Sequence, residues 1–195
     1  GDDQTLLHIV RPSGGMAAAS LYSLMRFGGA VATYAGFVWN AHAPSRVKFF
    51  CWLLVHRRVN TRDVLLRKTI VDRAGAGCPV CLAELETADH LMFVCPFARE
   101  FWRAVGGVVI AAGASVERLF ALDVRVAVGD ASPDTFILLC CWHLWKHRNG
   151  VVFQAMVPSL DRVLSCCRED AVLWRERLRP RDRADVDAWV RALTR

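Results

Sequence analysis

The sequence contains no apolar run long enough to cross a membrane and no motif typical of common enzyme classes. Two apolar stretches, residues 28–39 and 104–114, fall short of the roughly 18 to 20 apolar residues that a membrane-spanning helix needs. Neither a glycine-rich phosphate loop nor the Gly-x-Ser-x-Gly turn that presents a catalytic serine occurs. We therefore expect a soluble protein. Because these motifs are absent, the sequence offers no argument for an enzyme.

The sequence also lacks an organised set of carboxylates of the kind that a metal-dependent nuclease uses. Asp123, Asp130 and Asp134 lie in a connection rich in glycine, alanine and serine, where loop and capping roles are expected. His143 and His147 are spaced to share a helix face, but their aromatic and basic neighbours favour a helix-end surface over a second metal site. These observations predict a protein that is not an enzyme.

The composition, the spacing of apolar residues and the helix-start signals indicate a mainly α fold. The 195 residues, 54% hydrophobic and 23% charged, suffice for one globular domain with a helical extension. After Pro44 and Ser45, apolar residues recur at helical spacing at Val47, Phe50, Cys51, Leu54 and Val55. Further helices are predicted to begin near Thr61, Pro96, Pro133, Pro158 and Pro180. Residues 1–15 are predicted to be loop or edge strand.

Four residues have the spacing of a zinc site. Cys78 and Cys81 form a Cys-x-x-Cys turn, followed after eight residues by His90 and after four more by Cys95. Such a turn directs two sulfurs towards one metal, and a histidine–cysteine pair can complete a tetrahedron. Four protein ligands leave no position for a catalytic water. The pattern predicts one structural Zn²⁺ held by Cys78, Cys81, His90 and Cys95, with a short hairpin nearby.

The remaining cysteines and the N-terminal composition bear on the cellular compartment. Cys140–Cys141 and Cys166–Cys167 are adjacent pairs in apolar helical patterns, where a free cysteine acts as a small hydrophobe. This placement favours a reducing intracellular compartment, the nucleus or the cytoplasm. From position 5 to position 62 there is no acidic residue, a composition that overlaps with mitochondrial presequences. Mitochondrial targeting is therefore an alternative.

The positive charge is concentrated in one segment. Residues 46–73 contain eight basic and two acidic side chains, so the net charge of this segment is +6. This equals the net charge of the whole chain. A local basic surface is typical of proteins that bind nucleic acid or an acidic partner, and a solvated helix face is the alternative. The candidate contact residues are Arg46, Lys48, Arg57, Arg58, Arg62, Arg67 and Lys68.

Several motifs resemble the zinc-binding domain that follows the reverse transcriptase in plant LINE-type (non-LTR) retrotransposons. Residues 44–52 (PSRVKFFCW) are similar to the family's P-x-K-V-K-F-F-x-W, and residues 61–65 to its T-R-D-x-L. Glu86-Thr87 and Cys95-Pro96-Phe97-Ala98 accompany the four candidate ligands, and Phe101-Trp102 follows. Weaker matches are Pro12-Ser13-Gly14 before this region and Trp145-Lys146-His147-Arg148-Asn149 after it.

The resemblance implies a domain organisation and an origin. It covers roughly residues 5–155, so we expect a zinc-binding domain over 1–155 and a C-terminal helical extension over 156–195 packed on it. The family's polymerase and endonuclease regions, and the ribonuclease H domain that often follows, have no counterpart in these 195 residues. The expectation is a detached, host-adopted fragment without catalysis.

Two functions remain open. The first is a zinc-stabilised module that binds a protein partner, with Trp174 and Trp189 of the arginine-rich C-terminal region as candidate anchors. The second is nucleic-acid binding through the basic 46–73 segment. The first is preferred narrowly, because a fragment without the polymerase has lost the use for nucleic-acid binding.

Overall fold

The computed structural model describes residues 33–82 and 85–194, and their secondary structure is helical. The prediction for residues 1–15 and the motif at Pro12 fall outside these residues, as does the first part, residues 5–32, of the segment on which the presequence alternative depends. The α-helices are α1 (Thr33–Asn40), α2 (Ser45–Val55), α3 (Arg62–Arg67), α4 (Pro96–Ala104), α5 (Arg125–Val128), α6 (Pro133–Gln154), α7 (Leu160–Trp174) and α8 (Asp185–Ala192). Short 3₁₀ turns span Ala74–Ala76, Val116–Ala121, Arg175–Arg177 and Pro180–Asp182, and a wider π-type turn spans His90–Val94.

The mainly α prediction is confirmed, and the helix starts follow the sequence signals. Pro96 and Pro133 occupy the first turns of α4 and α6, where the missing amide hydrogen costs no helical hydrogen bond. Ser159 caps α7, because its side chain accepts a hydrogen bond from the amide of Arg162 at 3.3 Å. At the hairpin predicted beside the zinc site, the described residues include an antiparallel bridge between Gly77 and Leu85.

The long helix α6 is the centre of the fold. It packs against α2 on one side and α7 on another, while α8 packs on α5 and α7. Within the described residues, one hydrophobic cluster runs from Phe37 in α1 to Leu193 after α8. The C-terminal helices thus share a core with the rest, and the division of the chain at residue 155 stays a prediction.

The burial of the two candidate anchors corrects the sequence interpretation. Trp174 is 3% exposed and Trp189 is fully buried, and the Trp189 indole donates a hydrogen bond to the carbonyl of Ala131 at 2.6 Å. The Trp189 ring also packs against Phe136 of α6, with 5.8 Å between centroids. Both tryptophans therefore hold α7 and α8 on the core, because their apolar faces meet this chain rather than a partner.

A glycine is required just after the end of α4. Gly106 has φ of +59°, and a β-carbon there would lie 2.6 Å from that of Ala127. Both the left-handed backbone and the close approach exclude a side chain. No helix in the described part of the chain is long and apolar enough to cross a membrane.

Candidate metal centre

The turn between Cys78 and Cys81 presents two sulfurs on one side. The amide of Leu82 donates to the carbonyl of Cys78 at 2.8 Å, which closes the turn. The amides of Cys81 and Val80 donate to the sulfur of Cys78. Such amide–sulfur hydrogen bonds favour the thiolate form that binds a metal.

The second pair of ligands comes from the turn between His90 and Cys95. Thr87 begins it, because its hydroxyl oxygen accepts from the amide of His90 at 3.0 Å. The amide of Cys95 donates to the carbonyl of His90 at 2.8 Å, so one backbone hydrogen bond joins the two ligands. Trp102 then donates from its indole to the carbonyl of Met92 at 2.7 Å. The motif residues Thr87 and Trp102 thereby hold this turn.

The start of α4 supplies further stabilisation of Cys95. The residue occupies the N-cap position of the helix without a side-chain capping hydrogen bond. After the hydrogen bond with Cys78, the nearby backbone amides of Ala98 and Phe97 also lower the pKa of Cys95. A helix N-terminus carries partial positive charge, which favours an anionic sulfur. Cys78, Cys95 and Ala98 are almost fully buried and form a small apolar cluster with Phe97 against it.

The four predicted ligands converge. Their ligand atoms all lie within 4.8 Å of one another, and the Cys81 sulfur is 3.3 Å from Nε2 of His90. A tetrahedral zinc ion with bonds of about 2.0 to 2.3 Å places neighbouring ligand atoms about 3.5 to 3.8 Å apart. Across residues 33–82 and 85–194, this is the one group of three or more metal-ligating side chains so placed. Three soft thiolates and an imidazole suit zinc.

Protons and a metal compete for the same atoms in this cluster. The hydrogen bond between Cys78 and Cys95 raises the pKa of Cys78 to about 12 and lowers the pKa of Cys95. Hydrogen bonding to Cys78 outweighs burial and raises the pKa of His90 to about 9. Zinc requires thiolates and a neutral imidazole, so its binding displaces these shared protons.

The geometry defines a Cys₃His zinc centre built on two turns and a helix start. Residues 17–102 match the family described as "zinc-binding in reverse transcriptase", which confirms the resemblance inferred from the motifs. The chain is also 28% identical over 138 residues to an Arabidopsis thaliana protein named "Putative ribonuclease H protein". That alignment covers 68% of this chain but 22% of the relative. No solved structure matches this chain.

The predicted basic surface divides into groups with different roles. Arg57 is 38% exposed and pairs with Asp89 at 2.6 Å and Glu117 at 2.8 Å. Arg62 donates to the carbonyls of Gly75 and Gly77 at 2.9 Å each. These two residues are structural contacts rather than free cations, which corrects their assignment to a binding surface.

The other basic residues form two groups, one at the start of α2, which is about 16 Å long, and one just after α2 and at the end of α3. Arg46 and Lys48 lie at its start, where Lys48 donates to the carbonyl of Trp39 at 2.8 Å. Burial and then the nearby Arg177 lower the pKa of Lys48. In the second group, Lys68 donates a hydrogen bond to the side chain of Asn60 at 3.3 Å. Asn60 lies two positions after Arg58. We call the exposed residues Arg58, Arg67 and Lys68 the Arg58 surface.

Buried polar pairs at α6 are not evident from sequence spacing. His143 and His147 are buried, which corrects their interpretation as a helix-end surface. Nε2 of His143 lies 2.9 Å from Asp170 of α7, and burial lowers the pKa of His143. Arg148 forms an ion pair with the fully buried Glu86. Glu86 and Arg148 both lie within motifs that carry the resemblance, but only the folded structure shows that they pair.

Proposed function

We propose that this chain is a non-enzymatic, zinc-stabilised module that binds nucleic acid through the Arg58 surface. The observation that carries the proposal is the group of exposed cations beyond the end of α2 and at the end of α3. Arg67 approaches one carboxylate, Asp63, at 3.6 Å and remains 66% exposed, so a phosphate can compete for it. Arg62 at the start of α3 donates to the carbonyls of Gly75 and Gly77 just before Cys78. These contacts connect α3, and with it the Arg58 surface, to the zinc centre.

The ligand set and the acidic residues support the absence of catalysis. Four protein ligands fill a tetrahedral zinc and leave no position for water activation. Asp123 accepts a hydrogen bond from the amide of Arg125 at 3.0 Å, and Asp130 lies 3.4 Å from the same arginine's side chain. Asp134 lies in the first turn of α6. These carboxylates have the loop and helix-start roles expected from the sequence.

Nucleic acid is preferred over a protein partner once the fold is considered. The protein-binding prediction named Trp174 and Trp189 as its candidate anchors, and both are buried. The Arabidopsis relative is named as a ribonuclease H protein, an activity directed at nucleic acid. The order of the two functions favoured by the sequence alone is therefore reversed.

An exposed aromatic side chain suggests the class of nucleic acid. Phe49 on α2 is 54% exposed, and its ring stacks on Trp52 with 6.0 Å between centroids and 17° between planes. Arg46 lies one turn before it on the same helix. Unpaired bases stack on such rings while nearby cations contact the phosphates. We therefore expect preference for single strands over duplexes.

Changing Arg58, Arg67 and Lys68 together to glutamine is expected to weaken binding to a single-stranded oligonucleotide at least tenfold at moderate salt. Each lost phosphate contact should also flatten the plot of log affinity against log salt by about 0.7. Fluorescence anisotropy over a salt series measures both effects. Arg57 is left unchanged because it pairs with Asp89 and Glu117.

The matched control is R175Q/R179Q/R191Q, which removes the same charge from exposed residues elsewhere. Equal loss in both triple variants would contradict a localised site, because it would reflect only net charge. Phe49→Ala should weaken binding to single strands more than to duplexes, with Phe153→Ala as the matched exposed aromatic. Unchanged single-strand binding by Phe49→Ala would exclude the stacking role.

A protein partner remains the second candidate because of an apolar patch near the end of α6. Phe153 is 76% exposed and Val157 is 82% exposed. Contiguous exposed apolar surface is typical of docking sites, so these two side chains are where a partner is tested. Nuclease-treated pull-downs with wild-type and F153A/V157S baits distinguish this candidate: a partner lost only with the second bait would favour it, particularly if oligonucleotide binding is weak.

A further inference from the structure

Glu86 is a buried carboxylate that lies between the two halves of the zinc motif. It is fully buried, and Nε of Arg148 donates to it at 2.8 Å, with a second bond from the same guanidinium. The amide of Arg62 donates at 3.0 Å to Oε1, the same oxygen that accepts from Nη2 of Arg148. A buried charge is tolerated only when it is paired and hydrogen-bonded in this way.

The backbone of Glu86 binds the segment that leads into the first two ligands. Its amide donates to the carbonyl of Ala76 at 3.1 Å, two residues before Cys78. Its carbonyl accepts from the amide of Asp63 at 3.0 Å. Glu86 therefore connects the start of α3 with the chain that enters the Cys78 turn.

Arg62 binds the same segment from the other side. Nη1 of its guanidinium donates to the carbonyls of Gly75 and Gly77, three positions and one position before Cys78. One nitrogen with two hydrogens therefore holds both carbonyls at once. The position of the Cys78 turn thus depends on one carboxylate and one guanidinium that do not contact the metal ligands.

Arg148 reaches this network from α6, outside the residues that match the family. The match covers residues 17–102, whereas Arg148 lies in the second half of α6. Its guanidinium also lies 5.2 Å from the ring centroid of Trp145, so its direction is constrained by packing as well as by Glu86. The unit that orients the zinc ligands is therefore larger than the matched segment.

We propose that Glu86, Arg148 and Arg62 are positioning residues for zinc: they hold the Cys78 turn in its metal-binding conformation and thereby slow zinc release. Residues that orient ligands without touching the metal typically change metal affinity by ten- to a hundredfold. The role also makes zinc retention depend on α6, which packs against α1, α2, α7 and the His90–Val94 turn.

The test is the rate of zinc release from the full chain into a chromogenic chelator, at a temperature where each variant is folded by circular dichroism. Arg148→Lys keeps the charge but loses the paired geometry, and Arg62→Met removes the two carbonyl contacts. Both are expected to release zinc about tenfold faster than wild type, and Arg148→Met up to a hundredfold faster. Cobalt-substituted Arg148→Lys should also show a shifted visible spectrum, because the ligand geometry changes.

Val186→Ala is the control, since it removes buried volume in α8 and destabilises the chain away from the zinc centre. If Val186→Ala accelerates release as much as Arg148→Lys does, the effect is general destabilisation and the proposal is wrong. Release within twofold of wild type from folded Arg148→Lys and Arg62→Met would also overturn it. If Arg148→Met fails to fold, these two milder variants decide the outcome.

Discussion

Replacing Cys81 with serine is expected to remove stoichiometric zinc and to lower the free energy of unfolding by at least about 4 kcal/mol, because metal-site loss is among the largest single-residue effects. For a chain of this size, that loss corresponds to a fall in Tm of roughly 8 to 16 °C. Zinc content by elemental analysis and thermal denaturation measure the two effects.

Cys166→Ser is the matched control, because Cys166 is also a partly exposed cysteine but lies on α7 outside the cluster. It should keep one zinc per chain and change Tm little. A strong chelator added to wild type should reproduce the Cys81→Ser melting curve. If Cys81→Ser loses zinc but has the same Tm as the wild type, the metal does not stabilise the fold.

Replacing Trp189 with alanine is expected to cost about 3 to 5 kcal/mol of folding stability, because it leaves a large cavity among α5, α6 and α8. The cost includes the carbonyl of Ala131, which loses its hydrogen bond from the indole. Denaturant titration followed by circular dichroism measures the change. Trp189→Phe should cost less because the ring packing against Phe136 is partly kept.

This variant also distinguishes a core residue from a partner anchor. An anchor exposed to a partner would leave the isolated chain as stable as the wild type and weaken only a complex. Trp39, which is 38% exposed, is the matched control, and its alanine variant should change stability much less. Equal stability of Trp189→Ala and wild type would contradict the packing described above.

The zinc ligands and most helix starts could be predicted from sequence because local chemistry determines them. Cys78 and Cys81 are neighbours on one turn, and Cys95 precedes a proline that begins a helix. The i, i+3, i+4 pattern of α2 is satisfied by its buried residues, which include Val47, Phe50 and Leu54. Each of these features depends on residues a few positions apart.

The partners of those local elements could not be predicted, because an apolar or charged face does not specify what it meets. The sequence indicated Trp189 as a candidate partner anchor, and only the fold shows that Phe136 of α6 and the carbonyl of Ala131 meet it. Likewise, Arg57 and Arg62 are indistinguishable from Arg58 by composition, yet they bind groups within the chain. Glu86 and Arg148 are 62 positions apart, a separation from which no spacing rule infers an ion pair.

X-ray absorption at the zinc edge of the purified chain tests the central claim most directly. The account predicts one zinc per chain, with three sulfur ligands at about 2.3 Å and one nitrogen at about 2.0 to 2.1 Å. His90→Ala should lose the nitrogen contribution or the metal. A chain without zinc, or a zinc coordinated mainly by oxygen and nitrogen with a bound water, would contradict it.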